Sequence, residues 1–297
     1  MSRPGIRAVL IVALALCALV PGRFGIAHAE ELRYGGKLLL TNGVTTVEGA
    51  SGGGLAPWAT IAGNETRDGI GLSGHATLVA VKSYDYQSAG VSVGLFDRVE
   101  MSWAREHFDT NKIGGALGLG DNYAFNQDVF GVKVKLFGDL VYDRPLVPAI
   151  AVGVQYKKNH NGSVVRLLGA RHDEGVDYYV SATKLFLSKS LLINATARLT
   201  KANQLGLLGF GGDARAGYGV QFEGSAAYQL SRRLAVGAEY RSKPDNLRVA
   251  REDGWYDAFA AYAVNRHLTV TLAYTDLGSI ATVKNQRGLF ASLQAAF

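Results

Sequence analysis

The side chains in this chain that could do chemistry are few. After residue 29 the histidines are His75, His107, His160, His172 and His267. Ser73, His75 and Thr77 recur at every second position, which puts hydroxyls and an imidazole on one face of a strand, the start of a lipolytic Ser–His site. His172-Asp173 is an adjacent imidazole–carboxylate pair of the kind a barrel protease would set across its mouth. His75 reads as a hydrogen-bond donor facing a lumen, and His172-Asp173 as a solvated loop pair. No catalytic residue is assigned, and the chain is not read as an enzyme. The His, Asp and Glu residues form no cluster with metal-ligand spacing. Glycine-rich runs at 52–54, 114–120 and 206–212 lack the Gly-Lys-Ser/Thr of a phosphate loop, so no cofactor is expected.

Charges held in one phase are more informative. Glu100, Lys133, Lys135, Lys157, Arg198, Glu223, Glu239, Arg241 and Asp257 share one face of alternating segments with Ser92, Ser102, Gln155, Thr196, Gln221, Thr269 and Thr271. The opposite face is aliphatic and aromatic. Unpaired charges are costly against lipid, so the charged face belongs to a lumen. There Lys133, Lys135 and Arg198 are expected to pair with Glu100, Glu239 or Asp257. Gly90, Gly94, Gly131, Gly153 and Gly237 share that face and leave space. Lys184 breaks the pattern, falling on the lipid face unless it snorkels or a bulge resets the phase.

The elements that carry these faces are strands. The last ten residues, 288–297, alternate with a period of two and end in Phe297. Counting back from there, strands are expected near 36–42, 55–62, 70–81, 84–95, 99–107, 128–137, 150–157, 176–187, 191–200, 220–229, 233–241, 255–264, 268–277 and 288–297. That makes fourteen, with twelve as the second count, because Lys37-Leu-Leu-Leu40 does not alternate and 43–54 is rich in glycine. Short polar connections (96–98, 188–190, 231–233, 265–267) alternate with long ones (108–127, 158–175, 201–219, 242–254, 278–287). Outward Trp103, Tyr156, Tyr178, Tyr240, Tyr256 and Tyr274 fall toward the long-loop ends, and Tyr228, Tyr262 and Phe297 toward the short-turn ends. Two aromatic girdles around an aliphatic band are what a bilayer selects. A soluble sandwich would alternate too, but would not sort its rings to the strand ends. The fold class is therefore all-β, an antiparallel up-and-down transmembrane barrel.

The amino-terminus reads as a signal peptide over 1–29. Arg3 and Arg7 precede the apolar run 8–20, and Ala27-His28-Ala29 has the small-x-small form of a cleavage site. Thirteen apolar residues are too few to span a bilayer, which takes ~20. The barrel then occupies 30–297. Cys17, the one cysteine, leaves with the leader, so the mature chain carries no thiol chemistry. Removing Arg3, Arg7 and Arg23 from 31 basic residues leaves 28 against 25 acidic ones, a net +3 that gives nucleic-acid binding no support.

Several segments together resemble a family of uncharacterised proteobacterial outer-membrane proteins, known as a domain of unknown function. They are Gly35-Gly-Lys-Leu-Leu-Leu-Thr41, Val47-Glu-Gly-Ala50 with Gly52-Gly-Gly-Leu55, Val180-Ser-Ala-Thr-Lys-Leu185, Gly206-Leu-Leu-Gly-Phe-Gly-Gly-Asp213 and Glu239-Tyr-Arg-Ser-Lys-Pro-Asp-Asn246. The resemblance implies a barrel in the bacterial outer membrane and supplies no catalytic residues.

The expected partners are the lipid bilayer, the barrel-insertion machinery acting on the strand that ends in Phe297, and unidentified small solutes. The leading functional expectation is a passive or weakly selective pore. A transporter for apolar or aromatic solutes and a structural barrel with a plugged lumen are the alternatives. Ile113–Asp121 and Leu205–Asp213 are loops of leucine and glycine closed by aspartate, unusually apolar for solvated turns. If one folds into the mouth, Leu207, Leu208 and Phe210 would form the constriction.

Overall fold

The computed structural model describes residues 37–67, 69–141 and 146–297, so the leader expected over 1–29 lies outside the described residues. Twelve antiparallel strands close into a barrel. They are β1 (Ile70–Val81), β2 (Asp85–Leu95), β3 (Val99–Asp109), β4 (Ala124–Phe137), β5 (Ala149–Asn159) and β6 (Glu174–Phe186), followed by β7 (Leu191–Thr200), β8 (Gly219–Ser231), β9 (Leu234–Arg241), β10 (Trp255–Ala263), β11 (Leu268–Asp276) and β12 (Arg287–Ala296). Sequence neighbours pair throughout, and β12 pairs with β1, so the ring has no open edge. The alternation sets the wall: in β3, for example, Glu100, Ser102, Ala104, Glu106 and Phe108 are buried while Met101, Trp103 and Arg105 are exposed. Tyr156, Tyr178, Tyr240, Tyr256 and Tyr274 are exposed outside toward the long-loop end and Tyr228, Tyr262 and Phe297 toward the short-turn end, while Trp103, expected with the first group, is exposed near mid-strand opposite Phe130.

Twelve strands replace the fourteen expected first. The stretches near 36–42 and 55–62 are not wall. Residues 41–63 are buried at every position, with only the two-residue ladder Val44–Thr45 against Ser51–Gly52 between them. A wall strand has one face outside the barrel and one inside and must alternate; a segment enclosed on all sides has no phase to show. This segment is a plug inside the barrel. It enters at the short-turn end, where Lys37 lies 3.3 Å from Asp97. It turns between Glu48 and Leu55 and returns to the same end, where the Asn64 N–H donates to the Phe297 carbonyl at 3.1 Å.

Two short helices cap long loops: α1 (Asn111–Ala116) after β3 and α2 (Gly162–Leu167) after β5. Lys184 does face outward at the short-turn end of β6, yet it is buried, because the connection after β4 covers it and Asp139 O lies 3.4 Å from its Nζ.

Candidate functional site

The structure turns all nine phased charges into the lumen and buries them. Lys133 Nζ lies 3.1 Å from Glu100, its neighbour across the β3–β4 ladder. Lys135 pairs instead with Asp97 in the short turn after β2, and Arg198 with Glu223. The larger departure from the expected pairings is the plug, which supplies or occupies most of the partners. Glu48 sits among three cations: it bonds to Lys157, lies 2.6 Å from Arg241 Nη1 and 3.5 Å from Arg198 Nη2. Glu100 accepts the backbone N–H groups of Ser51 at 3.0 Å and Ala62 at 2.8 Å. Glu239 accepts the N–H of Leu55 at 2.9 Å. Gly53 makes that approach possible, since a Cβ there would stand 1.9 Å from Glu239 Oε1. Glu239 and its cross-strand neighbour Asp257 have no cation partner among the described residues.

Sequence reasoning missed Glu48, Glu106 and Asp177. Glu106 and Asp177 lie in the same two-residue phase as Glu100 and Lys157, so alternation alone locates them. Glu48 had no such signal, because Val47-Glu-Gly-Ala50 stands in a run with no phase.

The long-loop end is closed by the segment after β7. Leu205 O accepts from Lys157 and Gln127, each at 3.1 Å, and Asn159 Nδ2 reaches Gly206 O at 3.0 Å and Leu207 O at 2.9 Å. These bonds draw the loop down, so Leu207, Leu208 and Phe210 are buried in the mouth. Gln204 and Leu205 take left-handed backbone, with φ of 44° and 63°, a conformation costly for residues with side chains. The companion loop at 113–121 forms α1 and stays at the rim, with Leu117 exposed.

Under the closing loop lies an apolar cavity of about 60 Å³, floored by Val47 and Leu55 of the plug and walled by Tyr86, Phe108, Phe125, Trp255 and Phe290. A second, of about 40 Å³, lies nearer the short turns between Val44 and Trp58 of the plug and Leu185, Leu192, Ala227 and Phe259 of the wall. One cross-strand row joins them. Leu185 pairs with Leu192, then Ala227, Gly237 and Phe259. Phe259 continues to Ala273, Phe290, Val79, Tyr86, Phe108 and Phe125. Strands in a closed barrel are tilted, so a row across them climbs as it goes round. This one starts one residue from the short-turn end of β6 and finishes one residue from the long-loop end of β4. It crosses eleven strands with one polar group, the Tyr86 hydroxyl, which donates to Val47 O at 3.1 Å. Gly237 is required in it, because a Cβ there would meet the Phe259 ring at 2.6 Å.

His75 is buried mid-wall with Nε2 3.2 Å from Ser88 Oγ. Asp173 accepts from Lys158 at 3.2 Å and Arg166 at 3.1 Å at the rim, while His172 bonds through its backbone to Phe210. Ser88 Oγ donates to Val47 O at 2.7 Å, so its proton is directed at the plug and not at the His75 imidazole. Among the described residues no three His, Cys, Asp or Glu side chains are grouped to hold a metal.

The family model described as a protein of unknown function, DUF3034, matches residues 41–294. Among curated proteins none matches the chain. Several solved barrels are similar in outline. KdgM porin is 10% identical, with 76% of this chain and 99% of that one covered at a TM-score of 0.49. NanC porin is 11% identical over 76% and 98%, at 0.46. Outer membrane phospholipase A from Escherichia coli is 10% identical over 76% and 92%, at 0.40.

Proposed function

The chain belongs to the DUF3034 family of proteins of unknown function, and we propose that it is an outer-membrane pore, gated by its own N-terminal segment and selective for small apolar solutes. The observation that carries this reading is the apolar row from Leu185 to Phe125, which runs the height of the lumen and joins the two cavities. Most of the lumen charges are taken up by the plug, by Asp97 or by one another, which leaves the row as the surface an apolar solute would follow. Both cavities are smaller than the ~150 Å³ that admits benzene, so passage requires the plug and the Leu205–Phe210 loop to shift. In this reading residues 1–29 direct export, the outer aromatic girdles sit at the two lipid interfaces, and the long loops face outward.

Uptake of radiolabelled naphthalene by cells with an intact outer membrane tests the proposal. Phe259→Asp and Phe290→Asp each place a carboxylate in the row, and uptake is expected to fall to the level of cells lacking the protein. Arg105→Gln, outside the lumen, leaves it unchanged. Equal uptake by all variants at equal surface levels overturns the proposal in favour of a structural barrel.

A further inference from the structure

The outer wall carries a groove of about 530 Å³ across β4 to β8. Six short side chains line it: Val132 and Val134 on β4, Val152 and Val154 on β5, Val180 on β6 and Ala197 on β7. They stand in two cross-strand rows. One runs Val132, Val154, Tyr178, Leu199, Val220; the other runs Val134, Val152, Val180, Ala197, Phe222. Both rows climb as they cross the tilted strands. Val132 lies five residues from the short-turn end of β4, and Val220 one residue from the long-loop end of β8.

Cations stand where the climb ends. Lys201 lies two residues beyond Leu199, and Tyr218 two before Val220, so both continue the outer face past the strand ends. Lys201 Nζ stands 5.4 Å from the Tyr218 ring centroid, and that ring lies 6.3 Å from the ring of Tyr178 in the groove. Exposed Arg215 donates through Nη2 to Tyr218 O at 3.2 Å. Neither cation has an ion-pair partner among the described residues. Lys158 and Arg166 on the same rim are taken up by Asp173 and Glu174.

An apolar groove that climbs to two unpaired cations at the level of a lipid interface has the charge pattern of a seat for an anionic lipid. The long loops face outward in the reading above, so this end meets the outer leaflet. Resting on that orientation and not on the pore, we infer that the groove seats lipopolysaccharide. An acyl chain of its lipid A lies on the valines and Ala197, and a phosphate lies against Lys201 and Arg215.

Retention of radiolabelled lipid A, its dephosphorylated form and phosphatidylglycerol on the immobilised full barrel in dodecyl maltoside tests the inference. Lipid A is expected to bind about tenfold more tightly than its dephosphorylated form, as two cations at headgroup level imply, and more tightly than phosphatidylglycerol. Lys201→Gln with Arg215→Gln should erase the phosphate advantage. Ala197→Trp, which fills the groove, should weaken both forms of lipid A alike. Arg232→Gln with Arg233→Gln removes the same charge at the short turns and should change nothing. Heat-modifiable migration confirms that each variant is folded. Equal retention of the two forms by the parent overturns the inference. Phosphatidylglycerol held as tightly as lipid A overturns the assignment to lipopolysaccharide. An Ala197→Trp protein that keeps lipid A but changes its oligomeric state makes the groove an interface between copies instead. Orientation fails separately: an impermeant maleimide should label Lys201→Cys on intact cells, and labelling only after lysis overturns the outward placement.

Discussion

Around Glu48 the plug meets ions, with Lys157 on β5, Arg198 on β7 and Arg241 on β9 converging on one carboxylate. The side chains of its neighbours Val47 and Leu55 meet Phe290, Val79 and Tyr86 on β12, β1 and β2, and the polar contacts on those strands are neutral ones, from Tyr86 OH and Ser88 Oγ to the Val47 carbonyl at 3.1 and 2.7 Å. The two sides hold the same segment by different physics. Buried ion pairs are directional and set where a segment sits, but desolvation removes most of their net contribution. Apolar contact is non-directional and scales with area, so it stabilises the plug without fixing its register. A segment registered by ions on one side and held on the other mainly by apolar contact, with two neutral hydrogen bonds to Val47 O, can be released at the first and displaced along the second.

The largest test of that contrast is Glu48→Ala. It leaves Lys157, Arg198 and Arg241 sharing only Asp177 and Glu223. Breaking a buried pair from one side costs about 3–5 kcal/mol. The wall keeps its ladders, so the cost falls on plug docking. Single-channel conductance in planar bilayers is expected to rise from a closed baseline, with heat-modifiable folding intact. A baseline still closed would mean that the apolar side alone holds the plug.

Next in size is Leu272→Arg, on the exposed outer face of β11. Arginine near the middle of the lipid face costs about 2–4 kcal/mol. Urea unfolding in lipid should show that loss without any rise in conductance, the reverse of Glu48→Ala. Loss of stability together with channel opening would tie the wall to the plug.

The wall was largely legible in the sequence because an outer face opposite a filled interior imposes alternation, and Val99 to Asp109 or Leu191 to Thr200 shows it residue by residue. The plug was not. Thr46, Val47 and Glu48 are buried alike, and a short run enclosed on every side has the same pattern whether it is strand, coil or core. The nine charges could be placed by phase, but of the expected partners only Glu100 for Lys133 was found, since Lys135 paired with a turn residue, Arg198 with Glu223 and Arg241 with the plug. The apolar row was beyond reach for another reason. Phe259, Phe290 and Phe125 become neighbours in a row only once the register of every intervening pair is known, and register is a tertiary property.

A smaller effect separates the closing loop from the plug. The Gln204 N–H donates to both oxygens of Glu252, at 2.9 and 3.0 Å, and Lys243 Nζ lies 3.6 Å from that carboxylate. Burial pushes the Glu252 carboxyl up to about 7 against the pull of Lys243, with Asp245 adding to the rise. Burial likewise brings Lys243 down to about 8, with Arg241 lowering it further and Glu252 and Asp253 opposing. From about 4.5 to 7 the docked loop binds the extra proton on Glu252, so docking weakens as pH rises through that window. From about 8 to 10.5 the undocked loop binds the extra proton on Lys243, so docking strengthens as pH rises there. Docking is weakest between the two. Trp255 emission, read with Trp58 and Trp103 replaced by Phe, should be most red-shifted near pH 7–8. Glu252→Gln should remove the acidic limb of that profile. A flat profile in the parent protein would place the loop's hold in Leu207 and Leu208 instead.

The smallest stability effect is expected at Phe297. Its N–H donates to Leu72 O at 2.8 Å, and its carbonyl accepts from Leu72 at 3.0 Å and from Asn64 at the base of the plug at 3.1 Å. None of these bonds uses the side chain. The ring stacks on His267 at a centroid distance of 5.0 Å, a contact worth about 0.5–1.5 kcal/mol. Phe297→Ala should therefore refold in detergent with stability lowered by about 1 kcal/mol and with the plug still closed. If the ring is what the insertion machinery reads, the same variant should fall several-fold in outer-membrane level and accumulate as periplasmic aggregate. Deleting Phe297 outright also removes one of the three oxygens that hold Asn64, the others being Ala296 O and Arg266 O, each at 2.8 Å, so it should lower the membrane level and raise conductance less than Glu48→Ala does. A Phe297→Ala protein that reaches the membrane at the parental level would confine the ring to its contact with His267 and leave recognition to the backbone and apolar face of β12.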